Sequence, residues 1–142
     1  MGRRGVSDRP ILLDTCAVLW LANNDPLSAD AERSVTEAAD NGALLVSPIS
    51  AWEIGLLVAR GRLALSRPPP VWFDEVIASG VILAPMPPRV LMESSALPGT
   101  APRDPADRIL AATARAFSYR LMTRDEGLLD YGRAGHAEVI AC

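Results

Sequence analysis

The sequence predicts an α/β protein: a three-layer fold with a five-stranded parallel sheet flanked by helices. Two observations predict it. Short runs rich in Val, Ile and Leu alternate with longer stretches of helical periodicity, the order expected of a sheet wrapped by crossover helices. The apolar runs are continuous rather than alternating, as a strand covered on both faces requires.

Taken in order, "ILLDT" (Ile11–Thr15) reads as the first strand, followed by "ALLVSP" (Ala43–Pro48), "GVILAP" (Gly80–Pro85), "YRLMTR" (Tyr119–Arg124) and "AEVIA" (Ala137–Ala141). Between them, "AVLWLAN" reads as a short helix and "LSADAERSVTEAADNG" as a longer one, opened by Ser28 and closed by Gly42. "SAWEIGLLVARG" is another helix, closed by Gly61. The prolines Pro68–Pro70 are expected to stay outside the amphipathic helix that follows them. "PRVLMESSAL" has a weaker helical pattern, "LPGTAPRDP" (Leu97–Pro105) reads as a loop, and "PADRILAATARAF" has the strongest helical periodicity in the chain.

The 142 residues suit one domain, expected over residues 11–142 after a flexible lead-in at 1–10. A composition that is 49% hydrophobic and 22% charged is that of a chain with a packed core rather than a disordered one. A net charge of −3 gives no global basic field, so any contact with nucleic acid must be local. All 14 cationic side chains are arginine, which excludes mechanisms that need a catalytic lysine. Cys16 and Cys142 form neither a disulfide framework nor a zinc set. With "ILL" cut short by Asp14, and no run approaching a membrane span, the expected location is the cytoplasm.

The acids fall at places a parallel sheet brings together. Asp14 ends the first strand, Glu53 lies in the helix after the second, Asp104 and Asp107 open the strong helix, and Asp125 follows the fourth strand. Strand C-termini and the helix N-termini they feed share one edge, where open α/β sheets bind ligands. Each acid also has a local explanation. Asp104 before Pro105 is a good N-cap, and Asp107 completes something close to a capping box. Glu53 fits a box with Ser50, although "SP" at Ser47-Pro48 offers an earlier start that would carry Glu53 beyond capping range. In "TRDE", either Thr123 or Asp125 could cap.

Capping explains Asp14 least well, because Thr15 could serve that role and a carboxylate at the end of a buried strand must be paired, hydrogen-bonded or metal-bound. Four acids meeting at one edge would raise one another's pKa unless a cation neutralised them. An all-oxygen set of this kind suits Mg²⁺ or Mn²⁺. An ion so held serves phosphodiester hydrolysis without a histidine. The one histidine, His136, reads as a surface loop residue.

"LLDTCAVLW", "SPISAWEIGLLVARGRL", "RDPADRILAATA" and "LMTRDEGLL", in this order and spacing, resemble PIN-domain ribonucleases, in particular VapC-type toxins of bacterial toxin–antitoxin modules. The resemblance implies that Asp14, Glu53, Asp107 and Asp125 hold one or two Mg²⁺ or Mn²⁺ ions for RNA cleavage. Thr15 and Thr123 would orient a carboxylate or bound water, with Asp104 at the site's edge or as the cap. It further implies a homodimer, a VapB-type antitoxin that inserts a segment into the acidic pocket, and a tRNA or rRNA substrate. Cys16 stands where many relatives have Ser, and Arg103 where many have His; neither change removes a carboxylate.

Arg103, Arg108 and Arg124 flank the acids, and Arg60 and Arg62 follow the Glu53 helix; these are candidate phosphate contacts. The alternatives are a carboxylate partner for Arg108 and a solvated surface for the others. Trp20, Trp52 and Trp72 lie in apolar helix patterns and are expected to pack in the core rather than stack on bases. Phosphatases of the haloacid-dehalogenase type and response-regulator receivers also begin on an Asp-tipped strand, but both need a lysine. A catalytically silent PIN-like RNA- or protein-binding module is the remaining alternative, and the full set of four acids argues against it.

Overall fold

The structure, a computed structural model, describes residues 9–142. Its strands are β1 (Ile11–Leu13), β2 (Leu44–Val46), β3 (Ile82–Leu83), β4 (Arg120–Thr123) and β5 (Glu138–Ala141). Its helices are α1 (Thr15–Ala22), α2 (Ala29–Asp40), α3 (Pro48–Ala59), α4 (Pro69–Ala78), α5 (Pro88–Glu93), α6 (Pro105–Phe117) and α7 (Glu126–Arg133). The strands form one parallel sheet in the order β3-β2-β1-β4-β5, so the architecture is the three-layer α/β one expected.

Strand periodicity divides the core between the two faces of the sheet. Ile11, Leu13, Leu44, Val46 and Met122 point to one side, where Val18, Ile54, Trp72 and Val76 cover them. Leu12, Leu45 and Leu121, aligned by the register, point to the other and meet Leu110, Ala111, Leu128 and Tyr131. Full burial of β1 explains its unbroken apolar run.

Edge strands depart from that rule. β3 is only two residues long, with Ile82 43% and Leu83 49% exposed, although its sequence reads like a covered strand. An apolar run does not reveal a strand's place in the sheet order. The proline run departs as well: α4 begins at Pro69, because the first turn of a helix has no intrahelical use for the N–H groups proline lacks. Gly42 and Gly61 close α2 and α3 as expected, with φ of 63° and 70° that only glycine adopts freely.

Residues 1–8 of the expected lead-in lie outside the described residues. Its last two are tied to the sheet: the Pro10 carbonyl accepts from Arg120 N at 2.9 Å, and the Arg9 carbonyl accepts from the Arg120 guanidinium at 2.8 and 3.0 Å. Among the described residues, no helix is long and apolar enough to cross a membrane.

Candidate active site

The sheet order reverses direction at β1. The chain runs from β1 to β2 and β3 on one side, then crosses to β4 and β5 on the other. The C-terminal ends of β1 and β4 therefore border a topological switch point, the crevice where open α/β sheets place ligands. Asp14 and Thr123 meet there.

Asp14 leaves β1 in an extended conformation, its N–H still bonded to Met122 O at 3.1 Å, and becomes the N-cap of α1. Only 4% of it is exposed. One carboxylate oxygen accepts from Ala17 N at 2.7 Å and the other from Thr123 Oγ1 at 2.5 Å. Asp14 thus takes the cap that Thr15 could have filled, which frees the Thr15 hydroxyl. That hydroxyl hydrogen bonds Glu53 Oε1 and lies 3.0 Å from Ser50 Oγ.

Ser47 caps α3 with Pro48 at its first position, so the earlier of the two possible starts is the real one. Glu53 therefore stands in the second turn, beyond capping range, and faces α1. Asp104 caps α6, accepting from Asp107 N at 3.1 Å. Asp107 is half-buried, and no hydrogen-bond donor meets its carboxylate among the described residues. Asp125 caps α7, accepting from Leu128 N at 3.0 Å, while its own N–H donates to Thr123 Oγ1 at 2.9 Å. The Thr123 hydroxyl thereby ties the Asp14 carboxylate to the start of α7.

These acids act on one another. Burial raises the Asp14 carboxyl above its ordinary range, Thr123 and Ala17 N partly offset this, and Asp125 and Glu53 add to it. Asp107 is pushed up to about 7, by burial first and then by Asp104, Asp125, Glu53 and Asp14. Cys16, in the first turn of α1, reports the same field. Partial burial of its thiol and then all four acids push it up to about 11. The ion pairs among the described residues use Asp30, Glu75, Glu93, Glu126 and Asp130. None neutralises an acid at this edge.

A group of carboxylates that includes Asp14 and Asp107, both with raised pKa, and that has no arginine partner among the described residues is chemically suited to a hard divalent cation, which would supply the missing charge. As the side chains stand, no three acidic groups among the described residues are gathered closely enough to hold an ion. Glu53 is turned toward Thr15 and Asp125 toward its own helix. Mutual repulsion between carboxylates favours such separation while no cation is bound.

Several other expectations need correction. Arg108 pairs with no carboxylate among the described residues; half-buried, it donates to the carbonyls of Ser94 at 2.8 Å and Pro102 at 3.0 Å. Arg124 is exposed, lies 4.0 Å above the Trp20 ring and donates to Pro26 O, so its guanidinium already has partners in the free protein. Arg103 is exposed and open. Of the tryptophans, Trp72 is buried as expected, Trp20 is half-covered, and Trp52 is 56% exposed. His136 is half-buried against Tyr131, with ring centroids 5.0 Å apart. Ser50 was readable only as a possible cap; once Ser47 is the cap, Ser50 falls one turn before Glu53 on the same helix face.

A parallel sheet with acids gathered at its switch point, in this strand order, defines a class, and the family comparison agrees. The chain belongs to the PIN domain family, whose model matches residues 11–134. It is similar to Ribonuclease VapC22 of Mycobacterium tuberculosis (strain ATCC 25618 / H37Rv), with 34% identity over 119 residues covering 83% of this chain and 88% of that protein. Among solved structures, it superposes on a chain of VapBC2 from Rickettsia felis bound to a promoter DNA fragment with a TM-score of 0.66 at 14% identity, covering 92% and 97% of the two chains. A chain of DNA-bound VapBC from Salmonella typhimurium gives 0.64 at 16% identity, covering 94% and 98%. At these identities the structural likenesses speak for the fold.

Proposed function

We propose that this chain is an endoribonuclease dependent on Mg²⁺ or Mn²⁺, acting as the toxin of a VapBC-type pair, with residues 11–142 as its catalytic domain. The observation that carries the reading is the group of acids at the switch point, which act on one another and have no cationic partner among the described residues. Likeness to a ribonuclease over most of the chain supports the choice of RNA as substrate.

In this reading Asp14, Glu53, Asp107 and Asp125 hold the cation. When bound, the ion supplies charge stabilisation at the phosphoryl group and a more acidic water. Thr123 keeps Asp14 aimed at the strand edge, and Thr15 holds Glu53. Asp104 starts α6 and so sets the direction of Asp107, a cap rather than a ligand. Arg103, with Arg60 and Arg62, is left to meet RNA phosphates.

VapBC assemblies among the structural neighbours support a VapB-type antitoxin as the partner. A homodimer is proposed with it. Two free thiols suit the cytoplasm.

Purified protein incubated with tRNA or rRNA is expected to cleave it with Mg²⁺ or Mn²⁺, and to lose activity with EDTA or as Asp14→Asn. Cleavage insensitive to both would overturn the mechanism. A protein that binds antitoxin tightly yet cuts no RNA would be a silent binding module.

A further inference from the structure

Ser50 is an expensive residue where it stands. Burying its hydroxyl carries a desolvation cost that only a hydrogen-bond partner offsets. It is completely buried, and α3 has no need of it as a cap because Ser47 has that role. At the third position of α3, Ser50 has no earlier helical turn to bond back to. The Ser50 hydroxyl instead meets a side chain 35 positions away, Thr15 Oγ1, at 3.0 Å.

Thr15 is the residue that hydrogen bonds Glu53. A threonine hydroxyl carries one hydrogen, and an ionised carboxylate can only accept. With Thr15 donating to Glu53, its lone pairs remain for the Ser50 hydroxyl. Ser50 thus fixes the rotor that faces Glu53, and it does so from the same α3 face, one turn earlier. Side chains of this kind orient ligands without touching the ion.

We infer that Ser50 is a positioning residue, acting through Thr15 to hold the Glu53 carboxylate for the cation. This rests on the metal-site reading above. It assigns work to a residue outside the four acids and joins α1 and α3 through hydroxyls, as Thr123 joins β4, α7 and Asp14.

The test is Mn²⁺ binding measured by titration calorimetry, alongside kcat and KM on a cleaved RNA. Ser50→Ala is expected to weaken Mn²⁺ binding about tenfold and lower kcat by a similar factor, with KM for RNA and the melting temperature little changed. Ser50→Thr, which keeps the hydroxyl, should recover much of the loss. In a Thr15→Val background, Ser50→Ala should add nothing further. Ser47→Ala, which removes the cap of the same helix, should lower Tm and leave Mn²⁺ affinity unchanged.

Should Ser50→Ala fail to fold, Ser50→Cys, of similar volume and a weaker hydrogen-bonding group, carries the same comparison. Wild-type affinity in Ser50→Ala, or an equal further loss in the Thr15→Val background, would overturn the inference. A wild-type protein that binds no Mn²⁺ would overturn the metal reading itself and Ser50's role with it. That result is distinct from wild type and variant binding alike.

Discussion

Asp14 and Asp107 stand at two corners of one edge and are held in opposite ways. Asp14 sits at the junction of β1, β4 and α1, almost fully buried, with a donor on each carboxylate oxygen. Asp107 stands at the start of α6, less buried, with its backbone N–H capped by Asp104 and its carboxylate free of donors among the described residues. Burial is the first cause of the raised pKa in both, but only Asp14 has hydrogen bonds that offset it. One corner is built in advance by the sheet. The other is left able to turn toward whatever neutralises it.

Substitutions at the built corner should have the largest effects. Asparagine can still cap α1, so Asp14→Asn should fold while losing one negative ligand. RNA cleavage is expected to fall by roughly 10²–10⁴-fold, the equivalent of several kcal/mol of charge stabilisation, as measured by kcat at saturating Mn²⁺. Next comes Thr123→Val. It strips a donor from Asp14 and an acceptor from Asp125 N, and should weaken Mn²⁺ binding by about 10–100-fold. Because both abandoned groups are polar, it should also cost about 1–3 kcal/mol of stability in denaturant titrations.

The open corner predicts a smaller effect with a definite sign. Asp107 titrates near 7 in the folded chain and near its ordinary 3.8 when unfolded. Between these values the native state binds the extra proton. Metal-free stability should therefore fall as pH rises from about 4 to about 7, and then level off. Partial exposure limits the fall to roughly 1–2 kcal/mol. Asp107→Asn should reduce it, leaving the part of the same sign that the raised Asp14 carboxyl contributes, and should make the metal-free protein more stable than wild type above neutrality. Unfolding midpoints measured across that range, with EDTA present, check the sign.

The smallest effects should separate two arginines that the sequence alone does not distinguish. Arg108→Ala removes two hydrogen bonds to carbonyls and should lower Tm. Arg103→Ala should leave Tm in place, weaken RNA binding and reduce its salt slope by about 1. The opposite pattern would reverse these roles.

These contrasts follow what sequence can carry. The buried strands and helix starts were legible because continuous apolarity and capping are local signals: Ser28 and Asp104 cap where a cap was expected, and Asp125 takes the cap left open between it and Thr123. Convergence of the acids was legible from the parallel topology, which sends every strand tip to one edge. Facts set by distant neighbours were not legible. Trp52 shares the apolar pattern of a core helix yet is exposed, and β3 reads like a central strand yet lies at an edge. Arg108 finds its partners in carbonyls across a loop, and Ser50 finds Thr15 on another helix. Neither pairing leaves a mark in local spacing.

The central claim is that these acids form one cation site that is short of positive charge. It is tested most directly by the pH dependence of Mn²⁺ affinity in the wild-type protein, measured calorimetrically from about pH 5.5 to about pH 8. Binding must displace the proton that Asp107 holds up to about 7. Affinity should therefore rise with pH until near neutrality, with proton release on binding, and then flatten; Asp14→Asn should abolish it. A pH-independent affinity that Asp14→Asn leaves intact, or no Mn²⁺ binding at all, would contradict the account.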